Sequence, residues 1–336
     1  MNIAINGFGR IGKSFLRVLL ADPEAQKHLN VVAINIGYGA PEQIDYVVRY
    51  DTTMGTYHGD MSYENGVLSV GDYRIHVSAQ PDFDMLNWRE LDVDWVVDCT
   101  GAATKRDVAQ KHLDAGAKKL LISAPAEGAD VSIIPGVNDV DYNPEKDNIV
   151  SLGSCTTNAL VPLIKILSDS VGIEQAYMTT LHAYTNSQAL LDETSGRDDK
   201  RRSRAAAMNA IPTSTGASDM VGKIFPDIGK RVQAMAVRIP VNIASLVDLT
   251  VIPEKNMSTE ALNGYIAEIA DTSMRGIVGI TYDECVSSDF VGNPHSITID
   301  GLLTSSHQSM IKVFGWYDNE WGYSSRMKDF LLQCCI

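Results

Sequence analysis

Asn2-Ile3-Ala4-Ile5-Asn6-Gly7-Phe8-Gly9-Arg10-Ile11-Gly12 is the stretch that decides the fold. Residues 2–6 read as a short apolar strand, followed by a glycine-rich turn and a helical pattern from Gly12 to Ala21. The turn has the spacing G-x-G-x-x-G, directly after a strand and opening a helix. In that setting the first glycine makes the tight turn, the second lets the backbone approach a pyrophosphate, and the third lets helix pack on strand. A helix N-terminus adds unpaired N–H groups and the positive end of a dipole. Gly7, Phe8, Gly9, Arg10, Ile11 and Gly12 are therefore expected to hold the phosphates of a dinucleotide. The motif alone would fit a plain turn equally well. Its place at the head of a strand–helix–strand pattern is what favours the cofactor.

Working outward, Val31–Asn35, Trp95–Cys99 and Leu120–Ser123 read as further strands, with a helix over Asp107–Ala115 between the later ones. Strands alternating with helices imply an α/β unit built on a doubly wound parallel sheet, a Rossmann domain, over residues 1–154. After Cys155 the texture changes. A helix over Thr157–Ser168 precedes the longer β-rich runs Gln175–His182, Val232–Arg238, Ser245–Ile252, Ser296–Ile299 and Met310–Trp316, interrupted by a helix at Thr259–Ala270. This predicts a second, α+β domain with an antiparallel or mixed sheet over residues 155–319. Ala183–Ala210 is a long polar stretch without periodicity, a length of loop that usually carries function.

The composition, 45% hydrophobic and 21% charged over 336 residues, is that of a globular protein. A net charge of −14 argues against nonspecific binding to nucleic acid or to an anionic membrane. It leaves room for an anionic substrate if basic groups gather locally. The five cysteines fit no zinc spacing, and no other metal ligand set stands out. Reduced thiols in the cytoplasm are expected, with no apolar run of about 18 residues that could span a membrane.

Ser151-Leu152-Gly153-Ser154-Cys155-Thr156-Thr157-Asn158 puts a cysteine at the turn into a helix. A thiolate there gains from the helix dipole and from backbone N–H donors. His182, at the end of a strand in the same domain, is the candidate base. A Cys–His pair supplies a nucleophile and a proton carrier together. Cys155 among Ser, Thr, Thr and Asn is a poor candidate for a structural thiol, whereas Cys99, in an apolar strand, reads as core. The second strand ends Asn35-Ile36-Gly37, without the carboxylate that usually receives the ribose hydroxyls of NAD. Neither Lys nor Arg stands nearby to hold a 2′-phosphate, so NAD and NADP both remain open.

Asn6–Gly12, Ser154-Cys-Thr-Thr-Asn158, His182-Ala-Tyr-Thr-Asn186, Arg204-Ala-Ala-Ala207, Ile211-Pro-Thr-Ser-Thr-Gly216 and Trp316-Tyr-Asp-Asn-Glu-Trp-Gly-Tyr323, in that order, resemble the glyceraldehyde-3-phosphate dehydrogenase family from end to end. The resemblance implies a homotetramer whose final helix, about 320–336, returns to the first domain. It implies oxidation of a small phosphorylated aldehyde with inorganic phosphate, Cys155 being the nucleophile and His182 the base. It assigns Thr185 and Arg238 to the substrate phosphate, and Ser154, Thr156, Arg202, Thr215 and Gly216 to the attacking phosphate. Asn35 and Ile36 fall at the adenosine end of the cofactor. Thr100, Gly101, Ser123, Asn319 and Tyr323 fall on its nicotinamide side.

Three departures stand out. Ile36 occupies the place of the usual ribose-binding Asp, and Ser187 the place of an Asp that commonly follows Thr-Asn. Glu193-Thr194-Ser195-Gly196 lacks the Leu-Pro often seen in strictly NAD-using members. An erythrose-4-phosphate dehydrogenase would keep the Cys–His pair, but such enzymes usually lose the Tyr184-Thr185 present here. Semialdehyde dehydrogenases lack the pairing of Ser-Cys-Thr-Thr-Asn with His-Ala-Tyr-Thr. A non-catalytic dinucleotide-binding regulator would need neither Cys155 nor His182.

Overall fold

The first strand, Asn2–Asn6 (β1), runs into the helix Arg10–Leu20 (α1) through the glycine turn. This is a computed structural model, and it describes residues 1–194 and 199–335. Ser195 and Gly196, two residues of the segment without Leu-Pro, lie outside them. The chain forms two compact units, residues 1–154 together with the segment from Ser324 onward, and Cys155–Tyr323.

The other strands of the first unit's main sheet are Asn30–Asn35 (β2), Met61–Glu64 (β3), Val67–Val70 (β4), Tyr73–Ser78 (β5), Trp95–Asp98 (β6), Lys119–Ile122 (β7), Val131–Ser132 (β8) and Ile149–Ser151 (β9). They form one sheet in the order β8-β9-β7-β6-β1-β2-β5-β4-β3. Every pair from β8 to β5 is parallel, while β3, β4 and β5 pair antiparallel. The sheet is thus parallel with an antiparallel edge that the sequence reading did not place. Central strands of a parallel sheet are covered on both faces, which is why β7 reads Leu-Leu-Ile without alternation; all three side chains are fully buried. Burying a side chain of this size contributes about 1.5–3 kcal/mol. The helix Arg106–Asp114 (α2) follows β6.

The second unit opens with the helix Cys155–Ser170 (α3), two residues earlier than the pattern suggested. Its strands are Gln175–Ala183 (β10), Ile211–Thr213 (β11), Val232–Ile239 (β12), Ser245–Ile252 (β13), Val278–Thr281 (β14), Ile297–Asp300 (β15), Ser305–His307 (β16) and Met310–Tyr317 (β17). The sheet order is β11-β12-β10-β13-β17-β15-β14, with β16 on β17. β10/β12 and β14/β15 are parallel and the other pairs antiparallel, so the sheet is mixed. Here burial alternates: β13 and β17 bury every second residue, as expected of a sheet with one face covered. The helices Ala217–Ile224 (α4) and Thr259–Asp271 (α5) lie between strands.

The last helix, Trp321–Gln333 (α6), starts where the Asp318 carboxylate accepts from the N–H groups of Glu320 and Trp321. From Ser324 it belongs to the first unit. There Phe330 meets the edges of Trp95 and Tyr142, and Lys328 pairs with Asp22 at 2.6 Å.

Candidate active site

The three glycines of the turn have three separate constraints. Gly7 has φ +90°, and a side chain there would meet Thr100 at 2.7 Å. At Gly12 a Cβ would meet the carbonyl oxygen of Gly7 at 2.2 Å. Gly9 has open space where its Cβ would be, and as N-cap of α1 it offers no side-chain cap. The first N–H groups of α1 therefore face an opening with no side chain of the cap residue in it, which suits a pyrophosphate. Arg10 is otherwise engaged: its guanidinium pairs with Asp51 through both nitrogens, and Lys13 reaches the same carboxylate at 3.2 Å. Burial alone would push the Asp51 carboxyl up, but these bonds and the N–H groups of Thr53 and Met54 hold it well below the usual carboxylate range. At this turn it is the backbone near Arg10, rather than its side chain, that is left to meet a ligand.

At the end of β2, Asn35 is buried and its amide is fully used. It donates to Asn6 Oδ1 at 2.7 Å and to the Gln80 carbonyl at 2.8 Å, and accepts from the Gln80 N–H at 2.8 Å. Ile36, half-buried, follows it and offers no acceptor beyond its backbone. On the neighbouring loop, Thr100 donates to Asp98 at 2.8 Å, Gly101 has φ +74°, and the Ser123 hydroxyl bonds the Cys99 thiol. Asp98 carries no role in the sequence reading. Its signal was a lone carboxylate closing an otherwise apolar strand.

The reactive centre of the second unit is built at one end of four adjacent strands. The parallel register of β10 and β12 sets His182 beside Arg238, and the antiparallel register of β13 and β17 sets Ser245 beside Tyr317. Cys155 is the first residue of α3, with its Sγ 3.5 Å from His182 Nε2. His182 Nδ1 lies 2.6 Å from the Ala183 carbonyl oxygen, which can only accept. Nδ1 thus faces an acceptor and, from Arg238, a donor, while Nε2 faces the thiol. Arg238 Nη1 lies 2.9 Å from Nδ1 and donates to the same carbonyl at 3.1 Å. The ring of Tyr317 stands edge-on to the imidazole with centroids 6.0 Å apart. Its hydroxyl bonds Thr180 at 2.8 Å and Thr156 at 3.1 Å.

Burial dominates the electrostatics here. It pushes the His182 imidazole down, to about 3, with the Arg238 charge adding to the effect. It also pushes the Cys155 thiol up, against the pull of Arg238. The expected lowering by the helix terminus is thus outweighed. Arg238, and not an imidazolium, is the cation available to balance a thiolate, and His182 is kept neutral.

Among the described residues of the segment expected as a polar loop, the Ala189 N–H donates to the Arg202 carbonyl at 2.9 Å and the Ala206 N–H to the Ala189 carbonyl at 3.0 Å. This brings together Thr185 and Arg202, both bonded to the hydroxyl of Ser187, at 2.9 and 2.7 Å. Nε of Arg238 is buried with no hydrogen-bond partner, and so is the hydroxyl of Thr213. Unsatisfied buried donors of this kind suit an anion. Thr215 accepts from Ala217 N–H at 3.3 Å, and Gly216 is the N-cap of α4. Thr156, expected at a phosphate, is buried with its hydroxyl 3.1 Å from that of Tyr317. Asn319 accepts from Ser245 at 3.1 Å, Tyr323 is buried, and Ser154 ends the first unit. Tyr317, Thr180 and Ser245 were missed as support for the histidine. Tyr317 lies inside a motif already noted, and the other two carry no local signal.

Residues 1–106 match the NAD binding domain of glyceraldehyde 3-phosphate dehydrogenase, and residues 154–319 match its C-terminal domain. The chain is 42% identical over 329 residues to glyceraldehyde-3-phosphate dehydrogenase 2 of Streptomyces arenae, covering 98% of this chain and 97% of that one. It is 44% identical over 330 residues to glyceraldehyde-3-phosphate dehydrogenase of Kitasatospora aureofaciens, with the same coverage. With glyceraldehyde-3-phosphate dehydrogenase 2 of Bacillus subtilis it shares 40% over 332 residues, 98% and 96% of the two chains. Both domains matched in order, and relatives aligned over nearly the whole length, make the conclusion direct: the chain belongs to the glyceraldehyde 3-phosphate dehydrogenase family.

Proposed function

We propose that the chain oxidises glyceraldehyde 3-phosphate with inorganic phosphate to 1,3-bisphosphoglycerate, using Cys155 as nucleophile and His182 as base. The observation that carries this reading is Nε2 of His182, in a ring kept neutral by burial, held 3.5 Å from the Cys155 thiol. Sγ adds to the aldehyde carbon, its proton ending on the new hydroxyl, to give a thiohemiacetal. The N–H groups at the start of α3 steady the oxyanion that forms on the way. His182 then takes the hydroxyl proton as the C–H bond gives up its hydride, leaving a thioester. An oxygen of inorganic phosphate attacks the thioester carbon and the C–S bond breaks, releasing the acyl phosphate; the Cys155 thiolate left behind takes back the proton held by His182, and the proton of the phosphate passes to water.

NAD or NADP, when bound, accepts the hydride. Its pyrophosphate fits the backbone of Gly7–Gly12, where the open side of Gly9 and the uncapped α1 leave room. Thr100, Gly101, Ser123, Asn319 and Tyr323 are the residues proposed for its nicotinamide side. The reading includes a homotetramer working in the cytoplasm. Initial rates with and without phosphate test it. Turnover should need phosphate, and a rate indifferent to phosphate would point to hydrolysis of the thioester instead.

Arg238 and Arg202 have different tasks in this proposal. Arg238→Ala should mainly raise KM for the aldehyde, with some loss of kcat because Arg238 also touches His182. Arg202→Ala should mainly raise KM for inorganic phosphate. Each lost charge-assisted contact is worth about 1.5–3 kcal/mol, or roughly 10- to 150-fold. If both variants raised only the aldehyde constant, the two-site assignment would be wrong.

For the cofactor we propose relaxed use of NAD and NADP. Ile36 can neither accept from the adenosine ribose nor repel a 2′-phosphate, and Asn35 is committed to Asn6 and Gln80. Ile36→Asp supplies both missing effects and should shift kcat/KM toward NAD by about tenfold or more. A wild type that rejects NADP by about a thousandfold, ~4 kcal/mol, would show that another residue sets the choice.

A further inference from the structure

We propose that Asp98 is the positioning residue of the dinucleotide turn, setting the direction of a buried hydrogen-bond chain on which cofactor affinity depends. The proposal rests on the cofactor reading of Gly7–Gly12.

Asp98 is fully buried at the end of β6, and both its oxygens face donors. Oδ2 accepts from Asn6 Nδ2 at 2.7 Å, and Oδ1 accepts from the Thr100 hydroxyl at 2.8 Å and the Thr100 N–H at 3.2 Å. His112 Nε2 stands 3.4 Å from Oδ2. Trp88 Nε1–H, which can only donate, points at His112 Nδ1 from 3.1 Å, so the proton of that ring belongs on Nε2, which lies beside Asp98 without a hydrogen bond to it. The site calls for a group that only accepts.

That requirement spreads outward. Because Asn6 gives its amide nitrogen to Asp98, its Oδ1 must face Asn35 Nδ2, at 2.7 Å. Asn35 must then turn its Oδ1 to the backbone N–H of Gln80, at 2.8 Å, and of Gly37, at 3.4 Å. One carboxylate thus orients Asn6, directly before the glycine turn, Asn35 at the end of β2, and the loop at Thr100. These are the carboxyl ends of three adjacent parallel strands, where an α/β sheet binds its ligand.

An amide at position 98 breaks this order. Turned to Thr100, its NH2 opposes the Thr100 backbone N–H, which cannot reverse; turned to Asn6, it can be met only if Asn6 and then Asn35 rotate by half a turn. The rotated Asn35 would point its own NH2 at the N–H of Gln80, and a backbone donor cannot reverse. The loops after β2 and β5 would have to shift instead. Moving the charge one step along the chain removes the conflict at Asn6 and Asn35, leaving only the His112 Nε2–H, which makes no hydrogen bond to position 98, beside the new amide. With Asn6→Asp and Asp98→Asn together, the new carboxylate accepts from position 98 on one side and from Asn35 on the other. The amide oxygen at 98 still serves Thr100.

Calorimetric titration of the full chain with NADH tests this. Asp98→Asn should raise Kd by roughly tenfold or more, the worth of about one hydrogen bond misplaced at the site. The double variant should return to within about threefold of wild type. Val96→Ala, which removes apolar bulk from the same strand without touching a polar partner, should lower Tm and leave Kd unchanged, separating positioning from stability. Wild-type affinity in Asp98→Asn, or a double variant no better than the single, overturns the proposal. A wild type that binds no NADH would overturn the cofactor reading itself, and this inference with it.

Discussion

Cys155→Ser is expected to cut aldehyde oxidation by about four orders of magnitude or more, ~5.5 kcal/mol of barrier, while NADH binding stays within a few-fold. Two steps fail together. A serine hydroxyl beside a neutral imidazole is a far poorer nucleophile than a thiol, and burial of the site penalises its anion further. Any oxygen ester that did form would be a weaker acyl donor to phosphate than a thioester. The Arg238 charge, which favours a thiolate at Cys155, cannot make up the difference for a group so much harder to ionise. Rate assays, with NADH titration as the control, check this. Retention of a tenth of the wild-type rate, or complete inactivation by alkylation confined to Cys285, would remove Cys155 from its role.

His182→Gln is expected to lower kcat by about 10²- to 10⁴-fold, the usual worth of a positioned general base. Glutamine keeps polar bulk between Ala183 and Tyr317 but offers no base at the place of Nε2. The loss should fall on the step in which the hydroxyl proton and the hydride depart. An aldehyde deuterated at C1 should therefore show a full primary isotope effect in the variant. Near-normal kcat without that isotope effect would mean that another group takes the proton. Because His182 is held neutral, down to about 3, by burial and by Arg238, the free protein should keep its base unprotonated through mildly acidic pH.

The strand–turn–helix of residues 2–20 was legible because its glycines answer to local geometry: a positive φ at Gly7, the Gly7 carbonyl against Gly12, open space at Gly9. The alternating runs of the second unit were legible because one face of that sheet is covered and the other is not. The antiparallel edge of the first sheet went unread. Its strands are short and half-exposed, so their hydrophobic contrast is weak, although Asn65-Gly66, both at positive φ, is a strong hairpin signal. The start of α3 was placed late because Cys, Thr and Thr are poor helix formers and tertiary context overrode propensity. At the site, Cys155 and His182 were recognisable as residue types in a telling order. That His182 stands level with Arg238 could not be read, because the register of two parallel strands 56 residues apart is not written in either one. The same holds for Asp98, whose three hydrogen-bond donors come from Asn6 and Thr100, with His112 brought alongside from a third segment.

The most direct test of the central claim is the covalent state of the protein after one turnover without phosphate. Mixed with glyceraldehyde 3-phosphate and NAD, the chain should release one NADH per active site and stop. Intact mass should show one acyl group, and peptide mapping should place it on Cys155. Added inorganic phosphate should discharge it and restart turnover. Continued turnover without phosphate, or an acyl group found on Cys99, Cys285 or Cys334, would contradict the account.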